Sequence, residues 1–119
     1  MKNNPEFKQF DIWIADLNPG NSSEVGKTRP VLIIQSDLLN SNGHSSFIAC
    51  PISSQERGDM KILRLPVEAT LENGLKKKSY ILTDQIRSLD VSRIKERVGK
   101  ISKETSEDLK NNLRIILNL

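Results

Sequence analysis

Two apolar runs, "VLII" at residues 31–34 and "SFIACPIS" at 46–53, constrain this chain more than any other feature. Both are short and bounded by turn-forming residues, which reads as strand. A strand that is apolar at nearly every position has to lie centrally, with protein on both faces. Weaker strand signals surround them. "FDIWIADL" (10–17) alternates, with Phe10, Ile12 and Ile14 on one side and Trp13 interrupting the polar side. "KILRLPV" (61–67) holds Pro66, the mark of an edge or bulge. "YILTDQIRSL" (80–89) reads as a fifth strand interrupted by Asp84 and Arg87, and "RVGKIS" (97–102) as a short sixth. Pro30 is acceptable at the start of the strand it opens, "RPVLIIQS". "DLLN" (37–40) suits a short helical turn, and Asn73-Gly74 is a turn signal followed by three lysines.

The period changes near the C-terminus. Leu109, Leu113, Ile116 and Leu117 recur at three- and four-residue steps, which predicts an amphipathic helix with its apolar face in the core. Ser102 is placed to cap it, Glu104 and Glu107 suit the positive end of its dipole, and Arg114 the negative end. Many strands followed by a helix imply an α+β fold built on an antiparallel sheet or small open barrel. The 119 residues fit one domain, 1–119, with 1–8 as an N-terminal extension.

Composition narrows the function. No apolar run approaches the roughly 20 residues that cross a bilayer, and the N-terminus has no secretory apolar core. The single cysteine, Cys50, reads as a buried thiol of a reducing compartment. With one histidine, His44, and one cysteine, no zinc-type ligand set can be assembled, and neither metal nor cofactor is expected. His44 lies in the turn "NSNGHSS" and reads as a surface residue. A net charge of +3 permits an anionic partner without demanding one.

Three places carry chemistry. In "SSEVGKTRPVLIIQSD" (22–37) a long polar loop meets the core at Arg29, whose planar fork of donors matches phosphate oxygens. An ion pair with Glu24 or Asp16 would explain it as well. In "PISSQ" (51–55), Ser53 and Ser54 offer hydroxyls at a strand end, where they serve equally as turn caps. In "TDQIR" (83–87), Asp84, Gln85 and Arg87 sit among apolar residues and need partners, in a structural network or a site. Lys76 to Lys78 read as a solvated turn or as contacts to a phosphate backbone.

These pieces together resemble the MazF/PemK family of ribonuclease toxins from bacterial toxin–antitoxin pairs. The blocks "DIWIADLNP", "SEVGKTRPVLIIQSD", "PISSQ" and "LTDQIRSLD" stand in the family's order, from about Phe10 to the C-terminal helix. The second is the most specific, with Ser23, Glu24, Gly26, Arg29 and Pro30 at the family's spacing. The resemblance implies a twisted antiparallel sheet in a small SH3-like barrel with a C-terminal helix. It further implies a cytoplasmic homodimer and metal-independent cleavage of single-stranded RNA by attack of the 2′-hydroxyl on the adjacent phosphate. The implied partner is an antitoxin with an acidic tail, and the loop from Asn18 to Thr28 is expected to cover the site. The family's catalytic arginine falls on Arg29, and Ser53 takes the place of its usual threonine. Glu24, Lys27, Ser54, Gln55, Asp84, Gln85 and Arg87 follow as substrate-binding or second-tier catalytic residues.

Ser22 and Val25 depart from the family's Gly-Ser-Glu-Gln, and Leu82 replaces the arginine that accompanies Asp84 in some relatives. Serine at 53 keeps the hydroxyl but lacks the β-branch that stiffens χ1. Two rival functions differ in what they require. A gyrase poison resembling CcdB acts through a C-terminal tryptophan, whereas this chain ends "IILNL" and holds its only tryptophan at Trp13. A non-catalytic RNA-binding module calls for stacking aromatics, which are 4% here.

Overall fold

The computed structural model describes residues 6–17, 27–55 and 63–119. Among these residues seven strands run β1 (Asp11–Asp16), β2 (Thr28–Ile33), β3 (Ser46–Ser53), β4 (Arg64–Val67), β5 (Ser79–Leu82), β6 (Arg87–Asp90) and β7 (Ile94–Lys100). Helix α1 (Asp37–Asn40) follows β2, a 3-10 turn (Val91–Arg93) precedes β7, and α2 (Lys103–Leu117) ends the chain. Every pairing is antiparallel, in the order β4-β5-β3-β2-β1-β7, with β6 paired to β3. This is the expected antiparallel sheet with a C-terminal helix, but β4 and β7 end the order, so the sheet is open and not a closed barrel.

The core explains why β1 to β3 are so apolar. Trp13, Ala15, Val31, Ile33, Phe47 and Ala49 form one cluster on one face of the sheet. Ile12, Leu32, Cys50 and Ile52 form a second on the other, joined by Ile81, Ile101 and Leu109 of α2. Trp13 therefore does not interrupt a polar face; both faces of β1 are interior. Phe7, within the expected extension, is also part of the core, its ring centroid 5.1 Å from that of Phe47.

The fifth strand of the sequence reading is two strands. Ala49 and Ile52 of β3 are three positions apart, while their partners Arg87 and Ile81 are six apart. The three extra residues bulge out, with the Gln85 amide donating to the Leu82 carbonyl at 3.0 Å. Strand β7 is longer than "RVGKIS", and the described strand β4 begins only at Arg64.

Helix α2 begins as expected: Ser102 accepts the Thr105 amide at 3.1 Å. Leu109 is fully buried, and Leu113 packs against the second cluster. The apolar face is core only this far, because Leu117 is 51% exposed and Ile115 62%. No helix among the described residues is long and apolar enough to cross a membrane.

Candidate functional site

Antiparallel register brings the two principal candidates together. Strands β2 and β3 pair at Val31–Pro51. Arg29 and Ser53 each lie two residues past this last pair of the ladder, at the same end of the sheet. Arg29 is the second residue of β2, half-buried and paired with Ala15 of β1, so it is less exposed than a strand-start position implies. Ser53 ends β3 and is buried. Its Oγ accepts the Gln55 amide at 3.1 Å, which is the turn-cap role, and this leaves the hydroxyl proton to be donated elsewhere.

Both residues line a cleft of about 770 Å³ at one end of the sheet, with Lys27, Ser54 and Gln55. Lys27 has φ +68, a left-handed conformation unusual for lysine, and its carbonyl accepts the Leu17 amide at 2.9 Å. Further lining comes from β7 and from the 68–78 loop, which adds Lys76 and Lys77. That loop is held by Asn73, whose Oδ1 accepts the Thr70 and Leu75 amides and whose Nδ2 donates to the Glu68 carbonyl. Gly74, at φ +70, abuts the Val98 carbonyl so closely that a Cβ would collide with it. Of the lysine run, Lys78 alone turns away, to Glu68 at 3.5 Å.

Strand β7 contributes two residues the sequence reading missed, Glu96 and Arg97. Arg97 meets Asp11 at 3.3 Å; Asp11 is 4% exposed and also accepts the Trp13 indole N–H and the Lys8 amide. A buried, fully engaged carboxylate thus fixes Arg97 at the cleft wall. Their signal was faint, because Glu96 and Arg97 lie in the charged run "KER".

The cleft excludes other expected residues. Asp84 pairs with Arg64 of β4 at 3.0 Å, a structural ion pair. Gln85 sits in the bulge, and Arg87 opens β6 opposite Ala49; none of the three lines the cleft. Glu24 and most of the 18–28 loop lie outside the described residues. His44 is an exposed turn residue, as expected, with Nδ1 3.0 Å from the Ser46 carbonyl. Burial, with a lesser effect of the Asp84 charge, pushes the Cys50 thiol up to about 12.

Among the described residues five cations, Lys27, Arg29, Lys76, Lys77 and Arg97, line the cleft with one carboxylate, Glu96. Together with a donor pair on adjacent strands, this defines a small antiparallel-sheet protein whose cleft suits a phosphodiester. Comparison with known proteins agrees. Residues 8–117 match the family described as PemK-like, MazF-like toxin of type II toxin-antitoxin system. Endoribonuclease MazF of Staphylococcus saprophyticus is 34% identical over 116 residues, covering 95% of this chain and 92% of that protein. Among solved structures, MazF from Deinococcus radiodurans superposes with a TM-score of 0.79 at 23% identity, covering 99% and 100% of the two chains. The Mycobacterium tuberculosis toxin MazF-mt6 gives 0.74 at 24%, covering 92% and 97%. The chain belongs to the PemK-like, MazF-like toxin family of type II toxin–antitoxin systems.

Proposed function

We propose that this protein is an endoribonuclease that cleaves single-stranded RNA in the cytoplasm, with Arg29 and Ser53 as its catalytic residues. The observation that carries the proposal is the convergence of Arg29 and Ser53 in a cleft with four further cations. In the reaction, the 2′-oxygen forms a bond to phosphorus while the P–O5′ bond breaks. The electron pair of that bond goes to O5′, which takes a proton, and the 2′-hydroxyl proton passes to water. A 2′,3′-cyclic phosphate and a 5′-hydroxyl result. Negative charge accumulates on the non-bridging oxygens, where the Arg29 guanidinium and the Ser53 hydroxyl are placed to donate. No step calls for a metal ion. A cognate antitoxin blocks the same cleft with carboxylates that take the place of RNA phosphates. The proposal extends to a homodimer, in which exposed apolar residues such as Ile115 and Leu117 are covered.

The test is Arg29→Ala assayed on single-stranded RNA. Cleavage should fall by about 10²–10³-fold or more with an unchanged circular dichroism spectrum. Arg29→Lys should also be poor, since an ammonium lacks the planar fork. Wild-type cleavage should survive EDTA and leave cyclic or 3′-phosphate ends. Full activity in Arg29→Ala, or activity lost to chelator and restored by magnesium, would overturn the assignment.

A further inference from the structure

We infer that Glu96 is a specificity-determining residue, which accepts a hydrogen bond from an amino-bearing nucleobase beside the scissile phosphate and so selects against uracil there. The inference rests on the RNA-cleaving role proposed above. A carboxylate in a site for a polyanion repels its phosphates, so its presence in this cleft calls for a different contact with RNA. No side-chain hydrogen bond or ion pair ties Glu96 to another described residue, while its neighbour Arg97 is committed to Asp11. The Glu96 oxygens are therefore exposed acceptors among cations occupied with phosphate.

Placement decides what they accept from. Glu96 pairs with Ile14, and Ile14 pairs with Pro30, so the three form one row across β7, β1 and β2. Two strand spacings put the Glu96 backbone about 10 Å from that of Pro30, and Glu96, Pro30 and Arg29 line the same cleft. An attacking 2′-hydroxyl lies in contact with the phosphate that Arg29 holds; a carboxylate two strands away faces the next nucleotide. The ladder is also irregular here: between the Ile14–Glu96 and Ala15–Ile94 pairs, Lys95 is one residue extra on β7. Such a bulge re-aims the adjacent side chain. The base edges of a single strand offer donors at adenine N6, cytosine N4, and guanine N1 and N2. The one donor of uracil, N3–H, stands between two carbonyl oxygens that repel a carboxylate.

The experiment uses a panel of short RNAs, each position cycled through the four bases. They are assayed for cleavage and, as non-cleavable 2′-O-methyl versions, for binding. Wild-type protein should disfavour uracil at one position by about 10–100-fold. Glu96→Gln, which offers a donor beside its acceptor, should reduce that ratio to within about threefold at that position only, and Glu96→Ala should do the same. Unchanged preferences in both variants would overturn the inference. So would a uniform loss of cleavage rate at every sequence with the base preferences kept, which would assign Glu96 to proton transfer. If the wild-type protein binds the panel but cuts none of it, the endoribonuclease reading fails while the binding ratios still decide the role of Glu96. Absence of binding overturns both.

Discussion

Asn73→Ala should separate the grip on RNA from the chemistry. The Asn73 side chain is buried and makes three hydrogen bonds, accepting from Thr70 and Leu75 at 3.0 Å and donating to Glu68 at 2.8 Å. Alanine removes all three, and at roughly 1 kcal/mol net for each the loss is about 3 kcal/mol. With a urea m-value of about 2 kcal/mol/M, the unfolding midpoint should fall by about 1.5 M. The loop that Asn73 closes carries Lys76 and Lys77 to the cleft. When it loosens, RNA affinity should drop, and the slope of log K against log salt should flatten by about 0.7 per lost phosphate contact. Arg29 and Ser53 stand on β2 and β3, so the single-turnover cleavage rate at saturating RNA should stay the same. Urea titrations, fluorescence-anisotropy binding at several salt concentrations, and rapid-quench cleavage measure the three quantities. An unchanged midpoint would refute the role given to Asn73. A reduced single-turnover rate with unchanged affinity would show that the loop lysines act on the reacting phosphate itself.

Two further outcomes follow from the core. Leu109→Ala empties a fully buried position between α2 and the sheet and should cost about 2–5 kcal/mol, read as a lowered denaturation midpoint. Cys50, with its thiol pushed up to about 12, should resist iodoacetamide at pH 8 in the native protein and react once urea unfolds it; rapid native labelling would contradict its burial.

What was legible in the sequence divides along physical lines. Strand β3 was legible at both ends, Ser46 and Ser53, because an apolar run flanked by turn residues admits few other readings. Ser102 was legible as a helix cap, since capping is a local interaction. The break between β5 and β6 was not, because Ile86 continues the apolar pattern on the far side of Asp84 and nothing local marks the bulge. For the same reason Asp84 could be read as part of either a structural network or a site: its partner Arg64 lies 20 positions away. Arg29 and Ser53 were each visible as candidates, but their meeting depends on the β2–β3 register, which no local pattern specifies. Glu96 and Arg97 join the site only because β7 lies beside β1.

Strand β3 has hydrogen-bonded neighbours on both edges: β2 on one, β5 and β6 on the other. Ser53 cannot be displaced without releasing several ladders together, whereas the 68–78 loop is held mainly by bonds around Asn73 and by a single backbone bond to β7, from the Lys100 amide to the Glu72 carbonyl. Thermal openings of the native state accordingly reach the lysine loop at lower free energy than they reach the proposed catalytic pair. A protein built this way can release a ligand many times without dismantling the proposed Arg29–Ser53 site. Departure of an inhibitor bound over that site would leave the proposed pair already in place.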